Sequence, residues 1–370
     1  MEVGLGLLFQ NLDGTYTDAE VYKHELKMAT QAEEFGFDSV WTPEHHFTGY
    51  IMTPNVPQFL SWVAAKTKRI KLGTTVTVLP WQDPVRTAEQ FILLDHLSEG
   101  RAILGIGRGL GKVEFDGFGL KMSESRQRFQ EYAEAVLTGL ETGVMEYDGT
   151  YLKQSRVELR PRPYKSFRGR VYASAISPES VALMANLDVG IMVIAQKPWD
   201  KVAEDLEGYR TNFMRLNRRP ATRPIFSVFV GVSEDPAEAQ HIRAKYLQAY
   251  ARSSSDHYEF GNTNFEKIEG YEYYGALARN IERNGIDKFN GFLADLQVWG
   301  TPDEVTAKLQ AMIDRFGIGG FVVYLQFGGM PYEVGQRNFE LFAHKVLPRL
   351  HAIDVKLSDP MLSAELASVA

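Results

Sequence analysis

The chain has 370 residues, of which 44% are hydrophobic and 24% are charged, and it contains no cysteine. This composition is that of an ordinary soluble globular protein, and the lack of cysteine excludes a disulfide scaffold, an iron–sulfur cluster and a cysteine nucleophile. The net charge of −7 argues against a general nucleic-acid-binding protein. No apolar run is long enough to span a bilayer, and the N-terminus lacks the basic start of a secretory signal, so we expect a cytoplasmic protein.

Strand-like and helix-like segments alternate from the first residues onward. Eight short apolar segments predict buried strands at 3–9, 37–41, 70–79, 102–106, 171–175, 189–195, 225–232 and 320–325. Helical sequence follows these strands, with Asp18 as the expected cap of the first helix and Thr301 with Glu304 as an expected capping box. Residues 145–159 are expected to form a small extended excursion.

Eight strands, each with a following helix, predict a (β/α)₈ TIM barrel, with a doubly wound open sheet as the alternative. We expect residues 1–350 to form one domain and residues 351–370 to form a loosely held C-terminal tail. The polar and aromatic stretch 253–299 does not fit the alternation, and it precedes the last helix and strand. A loop this long predicts a lid or a disordered segment, or else an ordered surface insertion.

The ends of the fourth and fifth predicted strands carry groups that suit an anion. The run Gly105-Ile106-Gly107-Arg108-Gly109 lets a ligand approach the backbone, and Arg108 offers a planar fork of donors to a phosphate. After the fifth strand, Ser177 and Ser180 lie at the start of a helix, whose N–H groups favour an anion, and Arg126 could add a second guanidinium. The alternative is a tight turn with Arg108 in a surface ion pair.

The second predicted strand ends in Glu44-His45-His46. Neighbouring side chains of an extended chain point in opposite directions, so we do not expect the two histidines to bind one metal ion, and no metal site is predicted. A histidine at the end of a barrel strand suits acid–base chemistry, although histidines also serve as structural residues.

Several cofactor motifs are missing from the sequence. Leu110 stands where the third glycine of G-x-G-x-x-G would be, and there is no Walker A motif and no G-x-S-x-G elbow. A Rossmann site for a nicotinamide cofactor is therefore not expected, and a redox cofactor would bind in another way.

The motifs in their order resemble those of the bacterial luciferase-like flavin monooxygenases. The resemblance runs from residue 1 to about residue 350. It rests on 36–41 with 44–47, on 79–80 with 83–86, and on 94–101, 105–109, 300–304 and 326–331.

The resemblance implies a barrel that binds FMN without a covalent bond. Reduced FMN would react with O₂ to give a C4a-hydroperoxide, which oxygenates a small apolar organic substrate, with electrons from a separate NAD(P)H:flavin reductase. A homodimer formed through barrel helices is also implied, while no nucleic-acid or membrane partner is expected. The alternatives are an F420-dependent oxidoreductase and a non-catalytic flavin-binding homologue.

The resemblance also implies roles for single residues. His45 matches the catalytic histidine, and Glu44 matches a second polar residue near the flavin ring. Nine positions match cofactor contacts: Thr75, Val76, Gly107, Arg108, Arg126, Ala175, Ile176, Ser177 and Ser180.

Two of these positions depart from the family pattern. Gly107 stands at the place of a reactive cysteine, so light emission is not expected, and Ile176 replaces a glutamate, so that only a backbone contact would remain there. The stretch 253–299 would be the family's lid, which shields the reaction from water.

Overall fold

The computed structural model describes residues 1–174 and 178–361. Eight parallel strands form a closed barrel: β1 (Glu2–Gly6), β2 (Ser39–Thr42), β3 (Lys71–Thr74), β4 (Ala102–Gly107), β5 (Val171–Ser174), β6 (Gly190–Ile194), β7 (Ile225–Val232) and β8 (Gly320–Tyr324). The sheet closes because β8 pairs with both β1 and β7, with Gly320 opposite Glu2 and Ile225. The predicted TIM barrel is confirmed, and the open sheet is wrong.

The strands are buried on both faces, which explains why they are continuous apolar runs in the sequence. Every residue of β2, β4, β7 and β8 is buried between the barrel interior and the surrounding helices. The third predicted strand is broken in two. β3 ends at Thr74, the peptide bond between Thr75 and Val76 is cis, and Thr77–Val78 forms a separate short strand on β4.

Helices follow the strands as predicted. The α-helices are Asp18–Glu34, Val56–Ala64, Pro84–Leu97, Lys112–Gly117, Ser125–Thr142, Pro178–Asn186, Trp199–Asn217, Pro236–Ile242, Gln248–His257, Glu272–Asn284, Ile286–Asp295, Pro302–Phe316, Tyr332–Leu341 and Leu347–His351. Short π-helical segments, Arg243–Leu247 and Phe342–Val346, join two pairs of these into continuous helices. Short 3₁₀ turns lie at Leu79–Trp81, Met122–Glu124 and Thr263–Lys267.

The helix caps correct one prediction and confirm another. Thr17, not Asp18, caps the first helix, because its hydroxyl accepts the N–H of Glu20 while the Glu20 carboxylate accepts the N–H of Thr17. The predicted capping box of Thr301 and Glu304 is confirmed.

Two smaller elements lie outside the barrel. The expected extended excursion is an antiparallel hairpin of Val144–Asp148 and Lys153–Glu158. The tail was expected to be loosely held, but its described part lies on the barrel, where the N–H of Met361 donates to Ala221 and Arg223 donates to Asp359. Among the described residues, no helix combines the length and hydrophobicity that crossing a bilayer requires.

Residues 258–300, which we call the cover, lie between the helix after β7 and Pro302–Phe316. The insertion is ordered, which was one of the two expectations, and it is not a disordered loop, because helices Glu272–Asn284 and Ile286–Asp295 make up about half of the cover. Helix Glu272–Asn284 buries only one side, formed by Tyr274, Ala278 and Ile281, and its many polar residues obscure this helical period in the sequence. The first residues of the predicted insertion, 253–257, instead end the helix Gln248–His257.

Candidate active site

A cavity opens at the carboxyl ends of the strands, between the barrel and the cover. Active sites of TIM barrels lie at this end. Residues that follow β2, β3, β4, β5 and β6 line the cavity together with two tyrosines of the cover: Pro43, Glu44, His45, Thr75, Val76, Val78, Trp81, Gly107, Arg108, Gly109, Leu110, Glu114, Ser174, Ile194, Gln196, Tyr258 and Tyr274. Six of the predicted site residues, from Glu44 to Arg108, therefore share one cavity.

His45 is buried and is held at both ring nitrogens. Its Nδ1 lies 2.8 Å from Oε1 of Glu114, and its Nε2 lies 3.1 Å from the hydroxyl of Tyr258 in the cover. An ionised carboxylate only accepts, so Nδ1 donates to Glu114 and Nε2 faces the cavity beside the Tyr258 hydroxyl. Burial raises the pKa of Tyr258 well above its ordinary value, so this hydroxyl keeps its proton.

Glu114, which the sequence analysis missed, comes from the short helix Lys112–Gly117 that follows β4. Burial by itself raises the pKa of this carboxyl, but His45 and His257 outweigh it and lower the pKa to about 2. The N–H of His46 also donates to Oε1, over 2.9 Å. The sequence signal for Glu114 was its position about one helical turn after the run Gly107-Arg108-Gly109.

Glu44 is buried and is surrounded by donors on the other side of the strand end. It accepts the N–H of Val78 over 2.9 Å, the side chain of Gln82, and Nε2 of His46 over 3.1 Å. Burial raises the pKa of Glu44 more than these hydrogen bonds lower it. The two adjacent histidines thus bind different carboxylates.

A different trio has the composition of a metal site. One ligand atom each of His45, Glu114 and His257 lie within 4.8 Å of one another. A tetrahedral zinc ion at roughly 2.1 Å from each ligand would separate any two ligand atoms by about 3.4 Å. Because the His45–Glu114 separation is 2.8 Å, this pair has the geometry of a hydrogen bond rather than of shared zinc coordination.

The floor of the cavity is formed by Val76 and Gly107. A Cβ atom at Gly107 would lie 2.3 Å from Cγ2 of Val76, so position 107 has no room for a side chain beside valine. The neighbouring Thr75 hydroxyl lies 2.9 Å from the Tyr324 hydroxyl at the end of β8. Strand β4 can therefore approach this floor closely only as glycine.

The two arginines predicted to bind phosphate, Arg108 and Arg126, both lie beside Gly270 of the cover. Nη1 of Arg108 donates to the carbonyl of Gly270 over 2.9 Å, and its guanidinium lies 4.2 Å from the ring centre of Tyr271. A Cβ built on Gly270 would lie 2.9 Å from Nη1 of Arg108 and 3.3 Å from Nε of Arg126. Both guanidinium groups are half-buried, and together they make a positive corner. A hydrogen bond from the N–H of Gly270 lowers the pKa of the nearby Glu272 carboxyl, and both guanidinium groups also help to lower it.

The other side of the predicted phosphate site is described only in part. Ser180 lies in the first turn of helix Pro178–Asn186, directly after β5. The predictions for Ala175, Ile176 and Ser177 fall outside the described residues. Their contacts to a cofactor stay predictions.

The chain resembles proteins of one family over most of its length. The family model described as Luciferase-like monooxygenase matches residues 1–318. The alkanal monooxygenase alpha chain of Photobacterium leiognathi is 27% identical over 335 residues, which cover 90% of this chain and 94% of that one.

Two solved structures have the same fold. Monooxygenase RslO1 from Streptomyces bottropensis superposes with a TM-score of 0.80 and 26% identity, over 95% of this chain and all of that one. The oxygenating constituent of 3,6-diketocamphane monooxygenase from Pseudomonas putida, in complex with FMN, gives a TM-score of 0.73 at 20% identity, over 96% and 100% of the two chains. The chain belongs to the luciferase-like monooxygenase family, and the enzyme class predicted from its sequence is confirmed.

Proposed function

We propose that the protein is a monooxygenase that uses non-covalently bound, reduced FMN to oxygenate a small apolar organic molecule. The observation that carries this proposal is one cavity lined by both Arg108 and the buried His45, with Arg126 beside Arg108 at Gly270. An anionic cofactor with a flat ring fits this arrangement, with its anionic group at the arginines and its ring toward the histidine.

The residues present fit FMN. Arg108 and Arg126 would hold the phosphate, because guanidinium groups bind phosphate oxygens through paired N–H donors. The bond from Arg108 to Gly270 uses only one of its five N–H groups. The flat ring would lie on the floor of Val76 and Gly107, where the missing side chain leaves a smooth surface.

When bound, reduced FMN supplies the electrons that activate O₂. His45 then holds or moves a proton at Nε2, the nitrogen that faces the cavity. Glu114 fixes the ring orientation and the tautomer by accepting from Nδ1. The cover would shield the site from water, because Tyr258 and Tyr274 line the cavity beside the strand ends.

The substrate class follows from the rest of the lining. Val78, Trp81, Leu110 and Ile194 are apolar and line the same cavity as His45. They favour a small apolar molecule over a charged one. Glu44, whose carboxylate is occupied by three donors, would support the strand end rather than touch the substrate.

We infer a separate NAD(P)H:flavin reductase as the electron source, because the sequence lacks the Rossmann glycine pattern at Leu110. We also infer a homodimer through two barrel helices, Val56–Ala64 and Pro84–Leu97. They expose Trp62, Leu93 and Leu97, which are apolar side chains of the kind that a dimer would bury. A Leu93→Asp variant that stays dimeric in light scattering would contradict this interface.

The test reconstitutes the protein with a flavin reductase and compares cofactors. We expect FMN to bind at least about tenfold more tightly than riboflavin in a fluorescence titration, because only FMN reaches the arginines. We expect O₂ uptake and product with reduced FMN and no turnover with reduced F420. Equal affinities would remove the phosphate site, turnover with F420 alone would support the oxidoreductase alternative, and inactivity with both would support the non-catalytic one.

A further inference from the structure

His257 contacts the same carboxylate oxygen as His45. Its Nε2 lies 3.5 Å from Oε1 of Glu114, and the rings of the two histidines are perpendicular with centres 4.8 Å apart. His257 comes from the last turn of helix Gln248–His257, so it reaches the site from a different element than His45. The sequence analysis did not single it out.

The two carboxylate oxygens of Glu114 differ in their hydrogen-bond partners. Oε1 faces three donors, which are Nδ1 of His45, the N–H of His46, and Nε2 of His257. Oε2 is buried without a hydrogen-bond partner, and Nε2 of His257 is also left without one at full hydrogen-bond distance. One negative charge therefore serves two imidazoles, and the shorter contact belongs to His45.

His257 also faces a second cavity. Its Nδ1 lies 3.0 Å from the hydroxyl of Thr48, and both residues line a second, more open cavity. His45 lines the first cavity and not the second. The path from His45 through Glu114 and His257 to Thr48 thus links the two cavities through side chains.

Few other charged groups face the two rings. Tyr50 stacks on His257 with ring centres 4.5 Å apart, and Tyr258 lies 5.1 Å away. Burial lowers the pKa of His257 below its ordinary value, and the neighbouring His45 lowers it further, while the nearby Glu114 carboxylate and, more weakly, Glu259 oppose this shift. Burial raises the pKa of Tyr50 to about 12, so this ring stays neutral while the histidines titrate.

We propose that His257 is a positioning residue that competes with His45 for Oε1 of Glu114, so that the proton state of His257 sets how strongly Glu114 holds the proton of His45. This inference rests on the proposed function for its meaning in catalysis, since His45 is the proton-handling group there. Protons would reach His257 from the second cavity beside Thr48. Events in that cavity would then change the acid–base behaviour of His45 without touching the flavin pocket.

The test follows the imidazole signals of the full-length protein by NMR, without flavin and in the presence of EDTA. The chain has eight histidines, whose signals are assigned by substitution. In the unchanged protein, we expect the His45 signal to titrate in two steps, because coupled groups give macroscopic titrations that belong to the pair.

The variant His257→Phe keeps a ring on Tyr50 but removes both nitrogens. Glu114 then serves His45 without a competitor, and a repelling positive charge is gone, so we expect the titration midpoint of His45 to rise by at least about half a pH unit. The second step should disappear. With the reductase present, the pH profile of product formation should move in the same direction.

Two further variants keep the test decisive. His257→Gln keeps a donor toward Glu114 but cannot titrate, so it should remove the second step with a smaller rise of the midpoint. The exposed His241→Phe should leave the His45 titration as it is. A single step in the unchanged protein, with the same midpoint in His257→Phe and His257→Gln, would overturn the proposal.

The outcome separates the two proposals. The titration needs no flavin, so it tests His257 even if FMN does not bind. If FMN binds and product forms while the His45 midpoint stays constant in both His257 variants, the inference about His257 fails alone.

Discussion

The barrel and the cover are held in different ways. The barrel strands are held together by parallel pairing all the way round the sheet, and the hydrophobic core around them also includes residues of the cover. The cover packs its own aromatic rings, such as Phe265, Tyr271 and Tyr274, against one another. Its last residues join the barrel sheet, since Val298–Gly300 pairs with residues 230–232 of β7. Its earlier part meets the barrel mouth from Gly270 to Arg108 and from Tyr258 to His45. We therefore expect residues 258–295 to exchange their amide hydrogens faster than the barrel strands do.

A matched pair of phenylalanines tests this comparison most strongly. Phe91 in the barrel layer and Phe265 in the cover are both fully buried. We expect Phe91→Ala to lower the free energy of global unfolding by about 3–5 kcal/mol, because it leaves a cavity in the common core. Phe265→Ala should instead speed hydrogen exchange within residues 258–300 and leave the barrel strands protected. Equal loss of protection in both regions would show that they unfold as one unit.

The second prediction concerns the chemistry that the barrel supplies. His45→Ala should retain FMN but lower the rate of product formation by about 10²-fold or more, as expected for a lost acid–base group. The neighbouring His46, which binds Glu44 instead, provides the matched control, and His46→Ala should cost less than tenfold. Turnover of His45→Ala at the rate of the unchanged protein would argue against the assignment.

The third prediction concerns the positive corner that contacts the cover. Arg108→Ala should weaken FMN binding by about 10- to 150-fold, since a charge-assisted hydrogen bond contributes about 1.5–3 kcal/mol, and it should leave riboflavin binding unchanged. Arg128 lies on the same helix as Arg126 but binds Glu124, so Arg128→Ala should bind both flavins normally. If riboflavin binding falls in parallel, Arg108 supports the cavity wall rather than a phosphate.

The smallest effect is expected where the cover contacts the catalytic histidine. Tyr258→Phe removes the hydroxyl beside Nε2 of His45 but keeps the ring. The loss of one hydrogen bond, about 0.5–1.5 kcal/mol, should slow product formation by about two- to tenfold without changing FMN affinity. Tyr273→Phe, on an exposed face of the cover, is the control. A loss as large as that of His45→Ala would mean that the cover itself supplies a catalytic group.

The sequence predicted the barrel well because its signal is local. A strand buried on both faces is a short apolar run, and each such run is readable without knowing its partner. The cover was misread because Glu272–Asn284 buries only a narrow stripe, so polarity masked the helical period. Thr75 and Val76 break segment 70–79, which the sequence analysis had taken as a single strand.

The site was predictable only where a residue follows a strand directly. His45 and Arg108 do so, and they were found. Glu114 lies 69 residues from its partner His45, Gly270 lies 162 residues from Arg108, and Tyr258 lies 213 residues from His45. No local pattern encodes such pairings, because they arise only when the barrel closes and the cover packs on it.

The contact between Val76 and Gly107 restricts the order in which this cavity floor can change. A methyl group at 107 meets Cγ2 of Val76 at 2.3 Å, so substitution of the glycine alone would strain both strands. Trimming Val76 to alanine first would open that volume at a modest loss of packing, and a thiol or hydroxyl at 107 would then have space. A reactive side chain could therefore be introduced at position 107 in two steps, of which the first is the change at Val76.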